Sequence, residues 1–456
     1  MHLPIHSDLG ALFAAHIQAL QQRCEGLMAA QGYDALAIAA GVEKFAFLDD
    51  RPYSFQPNPH FVHWAPLTQH PGSWVLVRPA AKPLLIYLQA EDYWHAVPAA
   101  PAGYWVDAFE IVVVRTPEQA AQQLRDAAAH RPAWIAEADA LPPGFSGAHN
   151  PEPLLAALHF ARGVKTEYEL QLMRAASRRA ALGHLAARAA FEAGGSEADI
   201  HGAYLAASGQ AERELPYGNI VALSAHAAVL HWQFQDREPP AQPSTLLIDA
   251  GAQCAGYASD ITRTWLHPQA AAGRAREDFE TLLTGMEALE LALVDQVRAG
   301  SDYVAIHLDA HRRIAALLIE QGLLKGLSAE AAVAQGATRA FFPHGVGHLL
   351  GIQVHDIAGL QIDAQGGRRE RPAGHPYLRL TRHLEPGMVV TIEPGLYFIP
   401  MLLRELQAGP LAAHVDWARV EALKPFGGIR IEDDVVCRAG GAPENLSREA
   451  FAALGA

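Results

Sequence analysis

The chain of 456 residues is half apolar, with Lys, Arg, Asp and Glu making only 18%, a balance that excludes a disordered polymer and suffices for a large core. Acidic residues outnumber basic ones 49 to 35, and the formal charge of −14 argues against nucleic acid or anionic lipid as partners. Cys24, Cys254 and Cys437 form no CxxC pair, no apolar run reaches membrane-spanning length, and the opening MHLPIHSDLG lacks the pattern of a secretory signal, so a cytoplasmic location is expected.

Residues 1–160 read as a first domain of α/β character. Short β-like runs at 35–39, 73–78 and 83–88 are separated by turn-rich segments such as DDRPYSFQPNPH, and 118–129 and 151–158 carry helical patterns. Thr166 followed by Glu169 has the spacing of a capping box and opens a long Ala-, Leu- and Arg-rich helix running to about residue 191. The boundary is therefore placed near 160–165, with a larger second domain over 161–456. There, helical patterns at 273–295, 303–322 and 328–337 mix with strands at 220–222, 246–249, 389–393 and 429–436.

Several of those strands carry charge where an apolar residue would be cheaper. In LLIDAGAQCAGYASDITRTW an apolar run ends at Asp249, turns through glycine, and re-emerges as an expected second strand bearing Asp260. Paired as a hairpin, the two carboxylates reach one point; taken singly, each is an ordinary strand-end residue. FPHGVGHLLGIQVHD holds His344, His348 and His355 beside Asp356, and its glycines and Pro343 disfavour the regular helix of an HExxH zinc site. VVTIEPG ends a buried-looking strand at Glu393, halted by Pro394. GGIRIEDDVV sets Arg430 and Glu432 two apart on one strand face, where they either pair with each other or serve a metal and an anionic substrate group.

Four carboxylates and one imidazole make a donor set too rich in oxygen for a structural zinc site. The set suits Mn²⁺, Co²⁺, Fe²⁺ or Zn²⁺, with the hard ligands favouring Mn²⁺. Charge argues for two ions: two divalent cations balance four carboxylates, whereas one would leave buried negative charge uncompensated. The expected chemistry is hydrolysis in which paired cations lower the pKa of water and polarise a carbonyl.

The phrases LIDAGA, SDITRTW, PHGVGHLLGIQVHD, TIEPGLYF and LKPFGGIRIEDD, in this order, resemble the pita-bread metallopeptidases. FLDDRPYSFQPNPHF, VKTEYEL and PYGNIVAL extend the likeness to the bacterial Xaa-Pro dipeptidase, or prolidase, subgroup over nearly the whole chain. The resemblance implies an α/β N-terminal domain and an α+β catalytic domain with a curved, mostly antiparallel sheet. It implies two divalent ions per subunit held by Asp249, Asp260, His348, Glu393 and Glu432, and cleavage of Xaa-Pro dipeptides by a metal-bridging hydroxide. Glu393 resembles the residue that shuttles the water's proton. His231 and His355 resemble histidines that contact the substrate and steady the intermediate, and Arg430 one that helps recognise its terminus. Tyr217 and His344 resemble pocket residues.

In related homodimers a first-domain loop reaches the partner's active site, a role that would fall to Asp49. A side activity on organophosphate triesters is also implied. One departure stands out: Trp232-Gln233-Phe234 follows His231 where relatives more often have Tyr and a second His, which bears on pocket shape.

Overall fold

The computed structural model describes residues 8–127, 130–142 and 144–456. Its first element is a 23-residue helix, α1 (Leu9–Gln31), that the sequence patterns above do not anticipate. Leu9, Phe13, Ile17, Leu20, Cys24 and Met28 recur every three or four residues and are all buried, so the helical period is present. Ala, Gln and His at the intervening positions blur it. Gly32 stops the helix in the left-handed region at φ 73°, and Tyr33 N–H donates to the Met28 carbonyl at 2.9 Å.

Next come β1 (Ala35–Ala39), the short helix α2 (Pro59–Trp64), β2 (Trp74–Val77), β3 (Leu84–Leu88) and β4 (Glu110–Val114). They are followed by α3 (Pro117–Ala127), β5 (Pro132–Ile135), β6 (Ala148–His149) and α4 (Glu152–Arg162). The last two residues of the helix expected over 118–129 lie outside the described residues. The strands form one sheet in the order β4-β3-β2-β1-β5-β6. It is mixed: β2 runs antiparallel to both β1 and β3, while β1–β5, β3–β4 and β5–β6 are parallel. Alternation sorts the side chains onto two covered faces. Leu36, Ile38, Val75, Val77 and Leu85 pack with the apolar stripe of α1. Ala35, Ala37, Leu76, Leu84 and Ile86 pack with Ala120 and Leu124 of α3.

The long helix α5 (Glu167–Glu192) starts at Thr166, as its capping pattern predicts. Glu169 accepts from the Thr166 N–H at 2.8 Å, while the Thr166 hydroxyl also meets His16 Nδ1 at 2.9 Å. After α6 (Glu197–Ser208), β7 (Ile220–Leu223) and β8 (Thr245–Asp249) come two two-residue strands, β9 (Gln253–Cys254) and β10 (Tyr257–Ala258), and then β11 (Thr262–Leu266). Helices α7 (Arg274–Val294) and α8 (Tyr303–Glu320) precede β12 (Val389–Ile392), β13 (Gly395–Tyr397), β14 (Gly428–Arg430), β15 (Asp433–Val436) and β16 (Glu444–Asn445).

The strand-to-strand ladders in this half, β11-β8-β7, β12-β15-β16, β13-β14 and β9-β10, are antiparallel. Single bridges, Thr262 with Glu432 and Leu349 with Val390, stitch the pieces together. The architecture is thus an N-terminal α/β unit followed by an α+β unit with antiparallel strands.

Two expectations are corrected. Residues 429–436 are two strands rather than one: β14 pairs with β13, β15 with β12, and the switch of partner falls at Ile431 and Glu432. Asp260 does not sit within a strand; it occupies the gap between β10 and β11, where its N–H donates to the Asp434 carboxylate at 3.1 Å instead of to a ladder partner. In both places the regular ladder gives way where a carboxylate must be aimed.

Candidate metal centre

Four strand ends and breaks and one loop deliver the candidate donors to one place. Asp249 terminates β8, directly opposite Thr262 of β11 and Ile220 of β7. Glu432 lies at the break between β14 and β15, its N–H donating to the Thr262 carbonyl at 3.1 Å. Glu393 follows β12, its N–H donating to Val346 O at 2.8 Å. His348 is fixed to the same strand, giving its N–H to Thr391 Oγ1 at 3.1 Å while its carbonyl accepts from Thr391 N–H at 3.0 Å. Gly347, at φ 151°, permits this approach: a Cβ there would lie 2.1 Å from the Thr391 carbonyl oxygen.

Donor atoms of Asp260, His348 and Glu432 all lie within 4.8 Å of one another. His348 Nε2 is 3.3 Å from Asp260 Oδ2 and 3.7 Å from Glu393 Oε1. Asp249 joins through Arg430, whose Nη2 donates to Oδ2 at 2.6 Å, and through the Tyr217 hydroxyl, which donates to Oδ1 at 2.7 Å. Asp260, His348 and Glu432 are buried, while Asp249 and Glu393 are half-buried.

Crowding so much negative charge away from bulk water disturbs every carboxyl. Burial, reinforced by Asp260, Glu393 and Asp249, pushes Glu432 well above the usual range. Glu393 is pushed up to about 7 by burial, against the pull of His348 and Arg430. Asp249 is raised by burial despite Arg430. For Asp260 burial works upward, but the hydrogen bond and charge of His348 outweigh it and hold it below its ordinary value. His348 is correspondingly raised: burial opposes its charge and Asp260 with Glu393 restores it. One arginine and one histidine are insufficient counter-charge for four carboxylates, which is the condition a pair of divalent cations relieves. The residues fit a metal centre.

The remaining candidates surround it unequally. His344 meets the Tyr397 hydroxyl at 2.8 Å, and its Nδ1 is 3.5 Å from Glu393. The His355 ring packs edge-on against His348, centroids 4.5 Å apart. His231 is exposed, yet near enough for its charge to act on both His344 and His355. Arg430, expected at the substrate terminus, donates to Asp249, to the Tyr397 hydroxyl at 2.9 Å and to Thr262 Oγ1 at 3.2 Å. Asp49 stands apart on the tip of an exposed first-domain loop, beside Phe47 and Leu48, which are 89% and 92% exposed.

Several supporting residues escaped the sequence. Tyr397 ties His344 to Arg430, and Thr262 Oγ1 donates to Glu432 Oε2 at 2.6 Å. Thr262 lies two residues from Asp260, and Tyr397 two from Gly395, the strand partner of Arg430, but which groups their hydroxyls meet is disclosed only by the folded sheet. Asp356 receives Arg162 Nη2 at 2.6 Å and Lys165 Nζ at 2.9 Å, all three buried; burial opposes its charge, and the two cations bring it down to about 2. It thereby anchors the segment carrying His355.

Glu197, buried at the start of α6, accepts from Trp232 Nε1 at 2.7 Å and from the Leu223 and Asp236 N–H groups at 2.9 Å. It pins the loop bearing His231, and Trp232 stacks on His226 at 3.8 Å. The departure at Trp232 is therefore a loop anchor.

A cavity of about 770 Å³ runs between first-domain residues 55–60 and Tyr217 and His355. A second, of about 520 Å³, opens on His348 and His355 and is lined by Arg368, Arg371 and Arg379, which no periodic pattern would have picked out.

Comparison with known proteins agrees with this geometry. Residues 11–160 match the N-terminal domain of Xaa-Pro dipeptidase, and residues 171–439 match metallopeptidase family M24. The chain belongs to metallopeptidase family M24. It is 50% identical over 449 residues to the Xaa-Pro dipeptidase of Xanthomonas axonopodis pv. citri and 46% identical over 449 residues to that of Stenotrophomonas maltophilia, covering 98% of this chain and 99% of each relative. Within the family it is a metal-dependent peptidase of the Xaa-Pro dipeptidase kind. The fold is shared with Pseudomonas aeruginosa aminopeptidase PepP, at TM-score 0.71, 23% identity and 98% coverage of both chains. It is shared equally with Escherichia coli aminopeptidase P bound to the inhibitor Pro-Leu, at TM-score 0.71, 23% identity and 97% coverage of both.

Proposed function

We propose that this enzyme cleaves the Xaa-Pro bond of dipeptides and releases free proline. The observation that carries the proposal is the convergence of Asp260, His348 and Glu432, flanked by Asp249 and Glu393, beside a cavity with cationic lining. Two divalent ions held by these five residues, Mn²⁺ being favoured by the hard oxygen donors, would supply Lewis acidity and a water of lowered pKa. The protein's own residues do the rest. Glu393, whose Oε1 lies 3.7 Å from His348 Nε2 at the half-buried edge of the site, takes and returns the proton of the attacking water. His231 and His355 face the substrate carbonyl and the intermediate, with His344 held by Tyr397 beside them. Tyr217 fixes Asp249 and shapes the pocket wall. Arg430 orients Asp249 and Tyr397, which leaves recognition of the free carboxylate to Arg368, Arg371 and Arg379.

A scissile nitrogen belonging to proline has no N–H to offer, so selection rests on ring fit and terminal charge. The first domain, 1–160, closes over the catalytic domain, 161–456. The exposed Phe47 and Leu48 support a homodimer in which Asp49 reaches the partner's site. No helix among the described residues is long and apolar enough to cross a membrane, consistent with a cytoplasmic dipeptidase. A roomy pocket beside activated water also accommodates the tetrahedral centre of an organophosphate triester as a side substrate.

The test is proline release from Ala-Pro and Gly-Pro against Xaa-Pro-Yaa tripeptides, with Mn²⁺ and after its removal. Metal-dependent cleavage of dipeptides supports the proposal, and hydrolysis of tripeptides alone would overturn it in favour of an aminopeptidase.

A further inference from the structure

Away from the carboxylate pocket lies a buried donor cluster made of nitrogen alone. His307 and His311 sit one turn apart on α8, and His375 comes from a loop; one ring nitrogen of each lies within 4.8 Å of the other two. The rings meet steeply, with centroid separations of 4.8, 4.7 and 4.6 Å and interplanar angles of 88, 88 and 69°.

Three packed imidazoles could be simple core filling, but their hydrogen bonding is incomplete. His311 Nδ1 meets Thr338 Oγ1 at 2.9 Å, while its Nε2 is buried without a partner. His307 Nε2 meets His375 Nδ1 at 2.9 Å, while His307 Nδ1 is likewise unpartnered. His307 is 0% and His311 1% exposed, so water does not complete either ring from bulk solvent. An unsatisfied buried polar atom costs about 1–3 kcal/mol, a cost native interiors rarely carry twice in one spot.

We infer that His307, His311 and His375 form an additional metal site, distinct from the hydrolytic centre, that takes Zn²⁺. Three neutral imidazoles with a water in the fourth position are a zinc donor set, and oxygen-preferring Mn²⁺ has little reason to choose it. With the Thr338 hydroxyl accepting from His311 Nδ1–H, Nε2 is free as a ligand, the usual arrangement behind a metal-bound histidine. Burial holds His307 down at about 2 and His311 at about 3, so both keep their lone pairs at neutral pH.

A Zn–N bond of about 2.0–2.1 Å brings ligand nitrogens to roughly 3.3 Å apart. The half-buried His375 is the ligand free to make that adjustment. Arg339, whose charge acts on His311 and His375, is the neighbouring cation that weakens the site, while nearby His344 is held neutral by burial. The loop that supplies His375 also supplies Arg368 and Arg371 to the substrate cavity, so a bound ion would pin that wall to α8.

The experiment uses the full chain with its hydrolytic centre filled with Mn²⁺, dialysed against Zn²⁺ and examined by elemental analysis and by Zn-edge anomalous diffraction. The expected result is one Zn²⁺ beyond the ions of the hydrolytic centre, with an anomalous peak between the three rings. In His375→Ala, which alters only a half-buried loop side chain, that peak and that equivalent should vanish while the hydrolytic metals remain. His311→Phe, if it folds, should do the same. Absence of the peak in the unaltered protein overturns the inference, as does a Zn²⁺ equivalent that survives His375→Ala.

Discussion

The sheet of the first domain and the strands around the metal centre use the same pleat for opposite ends. In β1, β2 and β3 every residue is buried and every one is apolar, because both faces are covered by helices. In β8, β12 and β14 the apolar run stops at Asp249, Glu393 and Arg430, and the ladder changes partner or breaks there. The first arrangement gains stability from burial. The second gives some of it up to hold charges where a cation can meet them.

The contrast is sharpest at Glu393. Glu393→Gln should lower kcat on Ala-Pro by roughly 10³-fold, since a proton carrier and a donor go together. The melting temperature of the metal-free protein should hold or rise, because a destabilised carboxylate has been removed; a large fall in melting temperature would break the comparison.

Acid probes both regions. His16 in the first domain, at about 4, and His184, at about 3, are pushed down from 6.5 by burial, as are His307 and His311. The unfolded chain therefore binds protons that the folded chain refuses. The stability these rings contribute is full above about pH 6.5 and is lost as pH falls through that value toward the folded pKa values. The loss by pH 5.5 is about 1 kcal/mol for each ring. Urea unfolding of the protein and of His184→Gln at pH 7.5 and 5.5, with metals removed, measures it. The raised Glu393 and Glu432 carboxyls act with opposite sign but equally in both, so the variant should lose about 1 kcal/mol less over that interval, and equal losses would contradict a neutral buried ring.

Ile86→Ala in the first-domain sheet should cost about 2–5 kcal/mol of stability while leaving kcat of the folded enzyme nearly unchanged, the mirror image of Glu393→Gln. Denaturant titration alongside steady-state kinetics checks both halves of that statement. The smallest effect belongs to Trp232→Phe. It deletes the bond to buried Glu197 at a cost of about 1–3 kcal/mol, and is expected to raise KM more than it lowers kcat by loosening the loop of His231.

The carboxylates were legible in the sequence as a set: each alone reads as an ordinary strand-end residue, but four of them in or at the ends of β-like runs, with His348, make one donor set. The residues that make them work were not, because they look like ordinary strand residues. Thr262 and Tyr397 are common β-formers, and nothing local says that their hydroxyls face Glu432 and Arg430. The interruption at Glu432 was invisible for a related reason: the eight residues 429–436 read as one strand, and only tertiary pairing divides them between β13 and β12. In the first domain β1, β2 and β3 were legible as apolar runs. α1 was not, since its stripe is diluted by alanine and glutamine. Arg368, Arg371 and Arg379 lie in a loop without period, where their common destination is a matter of three dimensions alone.

The buried trio of Arg162, Lys165 and Asp356 bears on how this enzyme can be taken apart. The peptidase-family match begins at residue 171, but Asp356, next to His355, draws both of its counter-ions from residues before that point. A fragment cut at 171 would retain every candidate metal donor and yet strand an unpaired carboxylate beneath the substrate-facing segment. The smallest portable hydrolase in this chain therefore starts upstream of Arg162, and transplanting the downstream half onto a foreign partner requires carrying that hinge of two cations along with it.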